Sequence, residues 1–272
     1  MKKPLIILIL FFLSIQTYGQ VSNKNKSKKK DDFIKQTEQI NALLKYYQTL
    51  SPFSDTENNF ELIDSLSNEI TIHLLKVLND KRILNYQIET LFTEEELMLS
   101  KSDDNRIYFF SIDEKTGGSY RTSKTIIHYR LSNGTVKAEL FSGEASEALA
   151  TSTYGQIYLL DSLTQKYFVI GGVQVCNTCK VLLALTIQLD KNSINTELIA
   201  KYDGRYYDLK VFDYDSTVKE FNYEFYAAEN DDSLYGGDNE KTGLKHRYKS
   251  KFKYINAKFS EIENFEFWDE KE

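Results

Sequence analysis

Phe33, Thr37, Ile40, Leu44 and Tyr47 recur at spacings of three and four residues, and Phe60, Ile63, Leu66, Ile70, Leu74 and Val77 repeat the same stripe. Such spacing gathers each set on one side of a 3.6-residue turn. It predicts two amphipathic helices, the first opening at Asp31 and closed by Pro52, the second ending near Asn79. His73 lies beside the second stripe, where a histidine reads as an ordinary helix residue rather than a ligand. The stretch from Arg82 to Leu99 shows no clear period.

The pattern changes at Lys101-Ser102-Asp103-Asp104-Asn105, a polar turn that introduces Arg106-Ile107-Tyr108-Phe109-Phe110-Ser111-Ile112. Short β-branched or aromatic runs follow at 125–131, 135–141, 156–160 and 166–170, separated by turn residues such as Ser132-Asn133-Gly134, and predict successive hairpins. Strands are also predicted at 206–214, 220–227 and 248–259. Phe221, Tyr223 and Phe225 alternate with Asn222 and Glu224, which implies one buried and one wet face. Residues 229–241, rich in Asp, Asn and Gly, read as an exposed loop. Gly-Gly pairs at 117–118, 171–172 and 236–237 have unequal intervals and unmatched flanks, so no solenoid or propeller repeat is indicated. The expected fold class is α+β: a short N-terminal helical segment at 31–99, then a mostly antiparallel β-sheet assembly of hairpins at 100–268.

Residues 1–19 read as a signal peptide. Lys2 and Lys3 precede an apolar run from Leu5 to Ile15, and Thr17-Tyr18-Gly19 places small residues where a signal peptidase cleaves. That run is 11 residues long, against about 20 for a membrane-spanning helix, so export followed by cleavage is expected, with no stable membrane insertion afterwards. The only cysteines are Cys176 and Cys179, so no thiol near the cleavage site would carry a lipid. Five lysines between Asn23 and Lys30 make residues 20–30 a basic, flexible leader. Losing Lys2 and Lys3 leaves 32 basic against 40 acidic side chains, a formal charge of −8, and an acidic body argues against a nucleic-acid partner.

Cys176-Asn177-Thr178-Cys179 is open to three readings. A redox pair needs its first cysteine at a helix N-terminus and, in the thioredoxin arrangement, a cis-proline, yet no proline follows Pro52. A zinc site needs four ligands, and His73, His128 and His246 stand apart from the pair. A disulfide closing the turn between 167–175 and 180–189 is the favoured reading in an oxidising compartment. There is no Gly-x-Ser-x-Gly elbow. Asp103-Asp104, Asp213 with Asp215, and Asp231-Asp232 read as solvated turn acids, with a carboxylate hydrolase as the alternative. Asp231, Asp232, Asp238 and Glu240 do not have EF-hand spacing for calcium. Tyr206, Tyr207, Tyr223 and Tyr235 would, if exposed, offer a face to an envelope protein or a glycan.

Ser102-Asp103-Asp104-Asn105-Arg106-Ile107-Tyr108, followed by Asp113 and Thr116-Gly117-Gly118-Ser119, resembles a segment of uncharacterised secreted proteins of Gram-negative bacteria, over residues 84–140. The chain departs from that segment at Phe110 to Ile112, where a tryptophan would stand. The resemblance implies export and a helix-then-sheet layout. It carries over no catalytic residue and leaves Asp103, Arg106, Tyr108, Asp113, Gly117 and Gly118 as turn and motif positions. The expected protein is soluble, periplasmic or extracellular, without a cofactor, and serves as a non-catalytic binding or structural protein. The alternatives are a hydrolase using paired carboxylates and a thiol–disulfide oxidoreductase using Cys176 and Cys179.

Overall fold

A computed structural model describes residues 32–53, 59–93, 95–116, 118–141, 147–227 and 244–270. The expected signal peptide, the basic leader, Gly117 and the loop at 229–241 lie outside the described residues. Helix α1 (residues 32–48) and helix α2 (Asn59–Leu78) match the two apolar stripes, except that Phe60, in the first turn of α2, is exposed. A 3-10 turn (Lys81–Asn85) and the short α3 (Ile88–Leu91) follow, and β1 (Leu97–Lys101) already begins inside the segment read as helical. Among the described residues no helix is long and apolar enough to cross a membrane.

Among the described residues twelve strands form three antiparallel sheets, each a meander of four. The first holds β1, β2 (Ile107–Asp113), β3 (Ser123–Arg130) and β4 (Val136–Leu140). After α4 (Glu147–Thr151), the second holds β5 (Thr153–Asp161), β6 (Lys166–Gln174), β7 (Cys179–Leu189) and β8 (Ile194–Arg205). The third holds β9 (Leu209–Asp215), β10 (Glu220–Ala227), β11 (Leu244–Ile255) and β12 (Lys258–Glu270). The chain is therefore α+β.

Side-chain alternation stacks these sheets. In β2, Tyr108, Phe110 and Ile112 point into a core shared with the helices, while Ile107 and Phe109 join a second core with Tyr167 and Val169 of β6. Phe168, between those two, turns the other way into a third core with Tyr214 and Phe221. The order is thus helices, first sheet, second sheet, third sheet. A strand covered on both faces must be apolar at odd and even positions alike, which is why β2 and β6 read as unbroken apolar runs.

Two differences from the sequence reading have local causes. The strand expected at 248–259 is a hairpin: β11 and β12 meet at Asn256-Ala257, with φ of 52° and 64°. A two-residue turn with both central φ positive matches the right-handed strand twist, but Ala257 stands where glycine would ordinarily announce it. Strand β8 had no sequence signature because it is an edge strand whose first half is largely exposed. By contrast, Ser132-Asn133-Gly134 is the expected turn, with Gly134 at φ 81°.

Phe168 is wholly buried, with the rings of Tyr214, Phe259 and Phe221 at 4.5, 5.0 and 5.5 Å. Phe168→Ala should lower the unfolding free energy by about 3–5 kcal/mol in chemical denaturation. Leu163→Ala, at a side chain 94% exposed, should stay within about 0.5 kcal/mol of the parent.

Candidate functional site

The motif from Ser102 to Gly118 is used mainly for joining. Ser102 donates to Asp104 Oδ1 at 2.7 Å and accepts from the Ile107 amide at 3.1 Å, closing the β1–β2 turn. Asp104 also accepts from the Tyr167 hydroxyl at 2.7 Å, with Arg106 Nε 3.8 Å away, so the turn is pinned to the second sheet. Asp103 points to solvent. Asp113 accepts from the Lys115 amide at 2.9 Å, and its carbonyl takes the Tyr47 hydroxyl at 2.8 Å, fastening α1 to the end of β2. Gly118 turns with φ 68°, a conformation that favours glycine.

Tyr108 differs from the rest of the motif, because it lines a hollow of about 590 Å³ between the α2–α3 connection and the first sheet. Cross-strand register places His128 opposite Tyr108, and Arg130 follows two residues on, on the same face of β3. Ile83, Leu84 and Ile88 supply an apolar wall, and Glu89, ion-paired with Lys101, closes one side. Burial pushes the Tyr108 hydroxyl up to about 12, with the Glu89 charge adding to it. His128 is 2% exposed, and burial drives it down to about 4, partly offset by its hydrogen bond to the Leu78 carbonyl. Its Nδ1 is buried and has no hydrogen-bond partner among the described residues. The side-chain guanidinium of Arg130 makes no hydrogen bond or ion pair with a described residue.

A second hollow, of about 510 Å³, lies on the second sheet beside the cysteines. Ile170, Gly172 and Leu182 form its floor, and Lys180, Gln174 and Tyr206 stand at its sides. A Cβ on Gly172 would come within 2.6 Å of Leu182 Cδ2 and 2.7 Å of the Val181 carbonyl, and one on Gly171 within 2.4 Å of the Tyr154 ring. These close approaches explain two adjacent glycines inside a strand. Cys176 and Cys179 are joined by a disulfide across the tip of the β6–β7 hairpin, with Cα atoms 4.7 Å apart. The Thr178 amide donates to Cys176 Sγ at 3.3 Å. The pair sits on a β-turn and not at a helix N-terminus, the position that would depress a thiol pKa.

Comparison with protein-family models, curated proteins and solved structures returned no match to this chain. The sequence marks Tyr108 only as a motif position and the cysteines only as a pair; it does not mark Tyr108, His128 and Arg130 as neighbours in a hollow. Their signal is the register of two strands, which no short motif encodes. Among the aromatics proposed as a face, Tyr206 and Tyr207 are exposed, whereas Tyr223 packs 5.4 Å from Phe212 and donates to the Lys201 carbonyl; Tyr235 lies outside the described residues. Asp231, Asp232, Asp238 and Glu240 also lie outside them. Among the described residues no group of three His, Cys, Asp or Glu could hold a metal ion.

Two outcomes are expected. Folded His128 stays neutral down to about pH 4, while the unfolded chain takes up a proton near 6.5. Stability from this group is therefore present above pH 6.5 and is lost as pH falls towards 4, by about 3 kcal/mol. In urea melts across this range, His128→Gln should flatten that part of the pH dependence. Replacing both Cys176 and Cys179 by serine should cost about 2 kcal/mol, because so short a loop constrains the unfolded chain only weakly. Equilibrium denaturation of the oxidised parent and the double variant measures the difference.

Proposed function

We propose that this chain is an exported, non-catalytic binding protein of the periplasm or extracellular space, and that its ligand, an envelope protein or a glycan, seats an apolar group in the hollow beside Cys176 and Cys179. The observation that carries the reading is the lining of that hollow: aliphatic side chains, bare glycine backbone and a disulfide, with Tyr206 at the rim and no carboxylate among the lining residues. Concave, mostly apolar surfaces with a few polar groups at the edge are the usual form of a ligand seat, and a tyrosine supplies a rigid ring with a hydrogen-bonding tip. The disulfide supports an oxidising destination, as does the amino-terminal pattern of residues 1–19.

The carboxylates of the other hollow favour binding over hydrolysis. Glu89 is paired with Lys101, and Asp104 is held by Ser102 and Tyr167. A hydrolytic pair needs one acid free to give a proton and another free to attack or to activate water. Such a pair is not assembled among the groups lining either hollow.

Gln174→Trp places a large ring at the side of the apolar hollow, while the backbone bond from the Arg121 amide to the Gln174 carbonyl can remain. Residues 20–272 should retain members of an envelope-glycan and peptide library that are recovered chemically unchanged by mass spectrometry, and the Gln174→Trp variant should lose them by tenfold or more. Conversion of any retained member into product would overturn the reading.

A further inference from the structure

The hollow on the helix side of the first sheet has a different chemistry. Of its four charged lining groups, Glu89 and Lys101 neutralise each other, and Asp104 is compensated by the nearby Arg106 and by the Tyr167 hydroxyl. Arg130 remains, a half-buried guanidinium without a partner among the described residues. The hydroxyl of Tyr108 also makes no hydrogen bond with a described residue; the charges of Glu89, Arg130 and Asp104 all reach it, that of Glu89 most strongly. His128 lies across the strand pair from Tyr108, nine-tenths buried, with Nδ1 unpartnered. Buried polar groups are nearly always paired, so a hollow lined by a guanidinium and a hydroxyl that both lack a partner among the described residues calls for a specific explanation.

We propose that this hollow binds a small organic acid, with its carboxylate on Arg130 and the Tyr108 hydroxyl and its apolar body against Ile83, Leu84 and Ile88. A planar guanidinium presents paired N–H donors that match the two oxygens of a carboxylate, and charge-assisted bonds are about twice as strong as neutral ones. Arg130 is the lining cation not ion-paired among the described residues, and a single guanidinium suits a monoanion. The aliphatic wall opposite the donors gives the non-polar part of the acid a surface from which it displaces water. The volume, about 590 Å³, admits a molecule of amino-acid size or somewhat larger. The imidazole of His128, opposite Tyr108 across the strand pair, also borders the hollow.

This site is separate from the hollow beside the disulfide, so the two readings succeed or fail independently. The test is calorimetric or NMR titration of residues 20–272 with phenylacetate, 4-methylpentanoate and 3-phenylpropionate, each paired with its uncharged amide. At least one acid should bind tenfold or more tightly than its amide. Arg130→Gln should weaken that acid at least tenfold and leave the amide unchanged, Arg130→Lys should restore part of the loss, and Tyr108→Phe should weaken the acid several-fold. Gln174→Trp, in the other hollow, should have no effect. Thermal melts establish that each variant is folded. If no acid outbinds its amide, or if folded Arg130→Gln and Arg130→Lys both bind the acid as well as the parent, the proposal is wrong.

Discussion

The architecture depends on one constraint: the central strands of the first two sheets have no wet face. Ile107, Phe109, Tyr129, Tyr167 and Val169 fill the space between those sheets, so the alternate residues Tyr108, Phe110, Ile126 and Phe168 must find cover elsewhere. The amphipathic helices supply that cover on one side, and the third sheet supplies it on the other. Removing either layer would expose a continuous apolar sheet surface, which soluble chains avoid. The layers are therefore interdependent, although each sheet is a simple meander. In the third sheet the alternation returns to the ordinary form, with Phe221 inward and Glu220, Lys251, Lys253 and Glu263 paired across the outer face.

Apolar packing resists separation of the layers but does little to set their lateral position, and polar groups at the margins do that. Asn79 donates to the carbonyls of Leu75 and Ala138 and accepts from the Ala138 amide, so one side chain ends α2 and fixes it along β4. Lys115 collects the carbonyls of Tyr47 and Leu50 at the end of α1, a cation where the helix dipole favours one. Tyr167 to Asp104 and Thr125 to the Ser152 carbonyl tie the first sheet to the second. Lys166 to the Ala257 carbonyl and Lys219 to that of Leu160 tie the second to the third. Each of these bonds satisfies a backbone or carboxylate group that the layered packing would otherwise leave unmade.

This division explains which parts of the molecule the sequence reveals. Both long helices are legible because a 3.6-residue stripe from Phe60 to Val77 has no competing interpretation. The hairpin at 132–134 is legible through Gly134. The four-layer order is harder to read, since a run such as Ile107 to Ile112 states that both faces are covered without naming the covers. Strand β8 and the Asn256-Ala257 turn escape because one is polar at an edge and the other lacks glycine. Within the candidate sites, the cysteine pair is a local signal, four residues that lie together at one hairpin tip. The Tyr108, His128 and Arg130 group is created by strand register and by a helical connection folding over it, so its members are ordinary residues until the chain is assembled.

Both hollows arise where a covering layer stops short of the sheet beneath it. Along one face of β6, Phe168 is fully buried, Ile170 and Gly172 are partly open, and Gln174 stands at the side of the apolar hollow. Along one face of β3, Ile126 is fully buried, His128 nearly so, and Arg130 is half-buried. In each case the core grades into the hollow, and the lining joins apolar to polar groups: Ile170 and Leu182 with Lys180 and Tyr206 in one, Ile83, Leu84 and Ile88 with Tyr108, His128 and Arg130 in the other. Both positions therefore select for ligands with one polar and one apolar end. They differ in the polar end that is asked for: Tyr206 and Lys180 border one, whereas the other is bordered by a guanidinium, a hydroxyl and an imidazole, a set that asks for an oxygen-rich anionic group.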